Sequence, residues 1–306
     1  MIKVFIDGRE GTTGLQIDER LKKRNDIQLI RLPEEQRKDL SARKDAINAS
    51  DVTFLCLPDA AAKEAVSLVE NAGTIIIDAS TAHRTAEGWA YGFAELSKAH
   101  RQAIATGKRI ANPGCYASGF IALVYPLVEA GVLPRDYPIV CHAVSGYSGG
   151  GKKTIAQYED DHRDVLLDTP RLYALGLEHK HLPEMVKVCS LVKTPVFNPY
   201  ICDYYSGMSV SVPLFCDHLK AGTTKETIEK IFSEHYAGSN FIKLQKEAGF
   251  LGANALVGTN EMHLYVNGNG ERILVTATLD NLGKGASGAA IQNMNIALGL
   301  DERLGL

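Results

Sequence analysis

Ile2-Lys3-Val4-Phe5-Ile6-Asp7-Gly8-Arg9-Glu10-Gly11-Thr12-Thr13-Gly14 decides the fold. Its first half is an apolar run broken once by lysine, the pattern of a buried strand over Ile2–Gly8. Its second half spaces glycines as G-x-x-G-x-x-G. Leu15, Ile17 and Leu21 then recur among charged residues, which predicts a helix over Gly14–Asn25. Strand, glycine turn and helix is the order of a dinucleotide-binding fingerprint, of which this spacing is a variant. Such a turn must be tight, and its backbone must come close to a pyrophosphate. The free N–H groups and the dipole at the helix start then favour the anion. Gly8, Gly11 and Gly14, with Thr12 and Thr13 between them, are therefore candidate cofactor-binding residues.

The alternation continues downstream. Asp26–Leu32, Val52–Pro58 and Thr74–Ser80 are short apolar runs, and Ala61–Asn71 carries Ala65, Val66, Leu68 and Val69 on or near one helical face. Continuous apolar strands with helices between them predict a parallel sheet covered on both sides. After about residue 115 the pattern changes. Tyr116–Ala130 reads as a helix stopped by Gly131. Met208, Val210 and Val212 then alternate with Ser209 and Ser211, and Ile273, Val275 and Ala277 alternate with Leu274, Thr276 and Thr278. Asn267–Gly270 reads as a hairpin turn, and Thr224–Tyr236 and Ser287–Leu298 as helices. The fold class is α/β: a Rossmann-type parallel-sheet domain followed by an α+β domain with a mixed sheet.

The 306 residues carry 33 Lys+Arg and 36 Asp+Glu, a net charge of −3, with no basic stripe, so nucleic acid is not an expected partner. No apolar run reaches the ~18 residues that suggest a membrane span. The start, MIKVFIDG, lacks the basic and long apolar stretches of a signal peptide, which points to the cytoplasm. Cys56, Cys115, Cys141, Cys189, Cys202 and Cys216 form no C-x-x-C pair, so no structural metal is expected. Most sit in apolar runs and read as buried, reduced thiols.

Cys115 differs. Asn112-Pro113-Gly114-Cys115 is a sharp turn leading into the helix predicted from Tyr116, where the dipole and unpaired N–H groups lower a thiol pKa from its free value of about 8.5. A nucleophilic cysteine needs a base within reach. His179 and His181, in Glu178-His179-Lys180-His181, share one face if that segment is extended. At the end of the second strand Arg31 stands where an NAD site usually has an acid, which favours a 2′-phosphate and hence NADP(H). None of the twelve tyrosines is followed four residues later by lysine, excluding the usual short-chain dehydrogenase acid. Gly146-Tyr147-Ser148-Gly149-Gly150-Gly151-Lys152 begins like a phosphate loop. Lys153 stands where that loop needs Ser or Thr, so an NTPase is not expected. With Ser145 and Lys152, the segment suits an anionic substrate such as an acyl phosphate.

Together GREGTTG, DASTAHR (78–84), YGFAEL (91–96), NPGCY, SGYSGGGK, EHKHLPE and DNLGKG (280–285) resemble the N-acetyl-gamma-glutamyl-phosphate reductases of arginine biosynthesis, in their shorter bacterial type, over nearly the whole chain. Longer members commonly read S-G-x-S-G-A-G at the glycine loop. The resemblance implies a cysteine nucleophile at Cys115 and an acid–base at His179 or His181. It places Arg84, Asn112, Ser145, Gly146 and Lys152 near the substrate, and Ser80, Asn281 and Gly283 near the NADP(H). It returns the last helix to the nucleotide domain, giving domains 1–114 plus 284–306 and 115–283. It also implies a small-molecule acyl phosphate as substrate and a homo-oligomer, dimer or tetramer. An enzyme for aspartyl or aminoadipyl phosphate and a non-enzymatic NADP(H) sensor are the alternative readings.

Overall fold

The computed structural model describes residues 1–246 and 248–306. It divides into two compact units, Met1–Gly114 with Ala286–Leu306, and Cys115–Gly285.

In the first unit, β1 (Ile2–Asp7), α1 (Thr12–Leu21), β2 (Ile27–Ile30), α2 (Leu40–Ala49), β3 (Val52–Leu55), α3 (Asp59–Ser67), β4 (Ile75–Asp78), β5 (Ala90–Tyr91), α4 (Lys98–Thr106) and β6 (Arg109–Ala111) follow in order. The strands form one sheet in the order β2-β1-β3-β4-β6-β5, every pair parallel. Alternation within β1 feeds two cores. Val4 and Ile6 pack with Ile17, Leu21, Ile104 and the C-terminal helix residues Ala290, Ile291 and Met294. Phe5 packs on the other side with Ala46, Ile47, Ala62 and Ala65. The chain leaves β1 for β2 on one side and returns as β3 on the other, so the strand order reverses beside β1, where α/β folds bind ligands.

Helix α1 starts before Gly14, because Gly11 caps it and accepts the Leu15 N–H. It closes at Leu21, earlier than apolar spacing suggests, as Lys23 and Arg24 turn back onto Arg20 and Leu21. Helices α2 and α4 were not expected from apolar periodicity. Asp39 and Ser97 cap them by accepting N–H bonds from Ala42 and His100.

The second unit holds α5 (Cys115–Glu129), β7 (Val140–Gly146), α6 (Lys152–Tyr158), β8 (Arg171–Leu172), α7 (Leu182–Val188), β9 (Val196–Cys202), β10 (Met208–Phe215), α8 (Lys225–His235), β11 (Ile242–Leu244), β12 (Met262–Gly268) and β13 (Arg272–Leu279). Its sheet runs β11-β12-β13-β10-β7-β9-β8 and is mixed: β7 and β9 pair in parallel, and β7, β10, β13 and β12 pair antiparallel. Met208, Val210, Val212 and Leu214 are buried while Ser209, Ser211 and Pro213 are half-buried, as the alternation predicts. Helix α5 lies close on β10, where a Cβ on Gly119 would come within 2.7 Å of Val210. The turn after β12 uses Gly268 at φ +135. No helix among the described residues is long and apolar enough to cross a membrane.

Candidate active site

Gly8 sits at φ +82, and a Cβ there would meet the Cys56 carbonyl oxygen at 2.3 Å. A Cβ on Gly14 would meet the Gly8 oxygen at 2.7 Å, so both positions require glycine for the turn itself. Gly11 has ordinary room, its nearest neighbour being the Gly8 oxygen at 3.4 Å. The Thr12 hydroxyl, in the first turn of α1, is buried without a hydrogen-bond partner among the described residues. A cradle that side chains would fill and an unspent hydroxyl fit a pyrophosphate.

Beyond β1 and β2 opens a cavity of about 620 Å³ lined by Gly8, Arg9, Arg31, Arg37 and Lys38 among others. Arg31 faces it half-exposed, 2.9 Å from the buried carboxylate of Asp18, which also holds Lys22 at 2.7 Å and Arg9 at 3.9 Å. Arg37 pairs with Glu10 at 3.0 Å. Arg31 is the residue the sequence singled out here; Arg9, Arg37 and Lys38, which it did not, line the same cavity, and Asp18 anchors Arg9 and Arg31. Below the turn, burial raises the Asp7 pKa against the pull of Arg43. Burial, with Asp78 and Asp7 nearby, pushes the Cys56 thiol up to about 12.

Ser80, Arg84 and Asn112 have internal partners. Ser80 donates both its N–H and its hydroxyl to Asp78, at 2.9 and 2.7 Å. His83 Nδ1 lies 2.6 Å from the same carboxylate, and its ring stacks on Trp89. Arg84 donates to the carbonyls of Asn112 and Ala79. The Asn112 amide donates to the Ala286 carbonyl and accepts from Asn293. These bonds hold the loop after β4 against the end of β6.

In the second unit Cys115 is the first residue of the helix, one position earlier than the sequence suggests, and is half-buried. Gly285 lies against it; a Cβ there would stand 2.8 Å from the Cys115 Cβ. The next residue, Tyr116, is buried, and its ring meets His179, His181 and Phe197 at centroid distances of 5.9, 6.0 and 5.2 Å. Tyr173 Oη lies 3.5 Å from His179 Nε2. Burial, then Tyr173 and the Cys115 charge, push the Tyr116 pKa well up. Burial and the Cys115 charge also raise Tyr173, against a hydrogen bond from Tyr116.

The H-x-H segment is not extended. It turns, with His181 capping α7 and donating its N–H to His179 Nδ1 at 3.1 Å. The turn still brings the rings together, 4.7 Å apart and nearly perpendicular.

Ser145 is buried at the end of β7 and donates to the Gly146 carbonyl. A Cβ on Gly146 would strike the Tyr205 carbonyl at 2.5 Å. Lys152 is exposed at the start of α6. Asn281 spends its amide inside this unit, accepting from the Gly207 N–H at 2.7 Å and donating to Ser148 Oγ at 3.0 Å. Gly283 is required by packing, since a Cβ would lie 2.0 Å from the Thr259 carbonyl.

Residues 3–104 match the family described as semialdehyde dehydrogenase, NAD binding domain, and residues 115–281 match semialdehyde dehydrogenase, dimerisation domain. A Rhizobium meliloti protein named N-acetyl-gamma-glutamyl-phosphate reductase is 47% identical over 305 residues, covering 97% of this chain and 98% of that protein. One of the same name from Brucella ovis is 49% identical over 306 residues, covering 97% and 99%. The solved aspartate semialdehyde dehydrogenase from Francisella tularensis shares the fold at a TM-score of 0.72 and 16% identity, over 97% of this chain and 99% of that one.

Proposed function

The chain belongs to the semialdehyde dehydrogenase family, among the N-acetyl-gamma-glutamyl-phosphate reductases, and from that premise we infer that it reduces N-acetyl-L-glutamyl 5-phosphate to N-acetyl-L-glutamate 5-semialdehyde and phosphate. The observation that carries this reading is a half-buried cysteine opening a helix beside Tyr116 and the paired rings of His179 and His181. Backbone N–H groups at that helix start favour the Cys115 thiolate. The thiolate attacks the acyl carbon, phosphate leaves, and a thioester remains on the sulfur. NADPH, when bound, supplies the hydride that reduces the thioester. The tetrahedral species then collapses and releases the thiolate. The histidine pair serves the charge changes at sulfur and oxygen, and the rings of Tyr116 and Phe197 keep water from the thioester.

Gly8, Gly11, Gly14 and the Thr12 hydroxyl suit the pyrophosphate, and Arg31 with Arg9 suits the 2′-phosphate that separates NADP(H) from NAD(H). The loop Ser145–Lys152 suits the phosphate end of the substrate. The half-polar face of the second sheet, at Ser209, Ser211 and Tyr265, suits pairing with a second copy of the chain. Six free thiols suit the cytoplasm.

The test is phosphate-dependent reduction of NADP⁺ with three semialdehydes: N-acetylglutamate, aspartate and aminoadipate. The first is expected to react at least ~100-fold better by kcat/KM, since a site built for an acetamido group leaves polar partners unpaired with the others. Preference for either of the other two reassigns the substrate. No reaction with any of them sinks the enzyme reading.

A further inference from the structure

Resting on the NADP(H) reading above, we propose that Asp18 is a positioning residue that sets the preference for a coenzyme 2′-phosphate, by holding Arg31 and Arg9 where they meet that group. Helix α1 buries Gly14, Ile17, Asp18 and Leu21, which are the i, i+3, i+4 and i+7 positions of one face. Ile17 and Leu21 pack into the core below the sheet. Between them the stripe asks for a hydrophobe, yet the chain has a carboxylate whose side chain is only 4% exposed. A carboxylate taken out of water is costly unless cations meet it. Three do, each reaching in from the surface: Lys22 at 2.7 Å, Arg31 at 2.9 Å and Arg9 at 3.9 Å. Stability alone does not account for this choice, since an apolar side chain at such a position is often as good or better.

Arg31 stands one residue beyond β2, the edge strand of the parallel sheet, and Arg9 stands in the glycine turn after β1. Asp18, on the helix that follows the turn, brings the two together at the wall of the cavity that all three line. The Arg31 contact is an ion pair and not an aligned hydrogen bond: Asp18 Oδ1 is buried and receives no hydrogen bond among the described residues. Charge thus fixes the guanidinium and leaves its N–H fork for another acceptor, the geometry that suits two phosphate oxygens. A second carboxylate, Glu10, lies 3.5 Å from Arg9 and 3.0 Å from Arg37, but it is exposed. Exposed pairs fix little, so Asp18 is the anchor of the group.

Two effects of Asp18 on a 2′-phosphate oppose each other. Its charge repels the phosphate from behind the arginines, an effect weakened by their half-exposed surroundings. Its hold on two long side chains removes an ordering cost that binding would otherwise carry, worth roughly 2- to 10-fold in affinity for each side chain. With two arginines held, positioning outweighs repulsion. Loss of the carboxylate therefore weakens NADP(H) binding, although it makes the cavity more positive. A purely electrostatic role has the opposite sign.

Calorimetric binding of adenosine 2′,5′-bisphosphate against 5′-AMP, with steady-state rates on NADP⁺ and NAD⁺, tests this. In Asp18→Asn the preference for the bisphosphate should fall ~10-fold and the KM for NADP⁺ rise by the same factor. Affinity for 5′-AMP, the KM for NAD⁺ and kcat should stay within ~3-fold. In an Arg31→Ala background the same substitution should change the preference by ~3-fold at most, because only the route through Arg9 remains. Asp18→Glu keeps the charge but moves the carboxylate by one methylene; it should lose roughly 3-fold, and it is the variant to read if Asp18→Asn does not fold. A preference unchanged or increased in Asp18→Asn, or in Asp18→Glu in its place, overturns the proposal. So does an equal loss for both coenzymes, or a full further loss without Arg31. If the unmutated protein shows no preference for the bisphosphate, the NADP(H) reading itself fails and the proposal with it; a parental preference that survives the loss of Asp18 overturns the proposal alone.

Discussion

A thiol is a nucleophile only to the extent that it is a thiolate, and the cysteines divide on that count. Burial raises Cys141, Cys189 and Cys202, and burial with two carboxylates takes Cys56 to about 12. A thiol at that value is ionised to about one part in 10⁵ at pH 7, and the fraction grows only as pH approaches the pKa. Iodoacetamide at pH 7–8 is therefore expected to modify Cys115 and leave those four almost untouched, as peptide mass mapping would show; rapid modification of Cys56 would contradict it. Cys115→Ser should retain NADPH affinity within ~3-fold and lose more than ~95% of turnover, measured by fluorescence titration and initial rates. The glycines divide as well. Gly11→Ala has room in the fold, so it should leave thermal stability within about 0.5 kcal/mol while weakening NADPH binding about tenfold or more. Gly8→Ala meets a carbonyl at 2.3 Å in a left-handed conformation and should lose stability outright. Glycine spacing and the turn before Cys115 made these residues legible in the sequence. Asp18 was not legible, because a buried carboxylate inside a helix matters only through Arg9 and Arg31, which the fold brings to it.

Elements were legible where their apolar period was strong. Strand β4 reads as a continuous apolar run and β1 and β3 as runs interrupted once, by Lys3 and Thr53, and α5, buried along most of its length, is unmistakably apolar. Helix α2 escaped notice because its inward face includes Arg43, bonded to Asp7 and Glu64, where periodicity asks for a hydrophobe. Strand β9 contains Pro199, which argues against a strand from sequence alone, yet it pairs with Ala143 of β7 deep in the mixed sheet. Packing also limits what α5 can carry. Gly119→Val would force a branched side chain into the space held by Val210 and Leu279. A loss of about 1–3 kcal/mol is expected from overpacking, read as a lower denaturant midpoint. Because α5 also presents Cys115, turnover should fall with it; an unchanged midpoint would mean that α5 does not sit tightly on β10.

At the scale of the molecule, the first unit is finished by residues that arrive last in the chain. The helix Gly288–Ala297 is buried all round, which is unusual for a helix carrying Gln292, Asn293 and Asn295. Each polar side chain is spent on a partner from the early sequence or the tail: Gln292 on Glu95 and Glu302, Asn293 on the Gly92 carbonyl and Asn112, and Asn295 on Arg24 and the Leu304 carbonyl. Its apolar side closes the core around Val4, Ile17 and Ile104. Only the family resemblance, and no periodicity, assigned this helix to the nucleotide end, because its partners lie some 200 residues earlier. Removing the last 21 residues, 286–306, should therefore strip part of the cover from one side of the parallel sheet, leaving only α1 and α4 there. A chain ending at Gly285 is expected to bind a hydrophobic dye strongly and to lose NADPH affinity. Met294→Ala, which keeps the helix and removes one fully buried side chain, should cost about 2–5 kcal/mol in the unfolding of this unit, measured by denaturant titration. If the shortened chain bound NADPH like the whole one, the last helix would be an accessory to the first unit rather than part of its core.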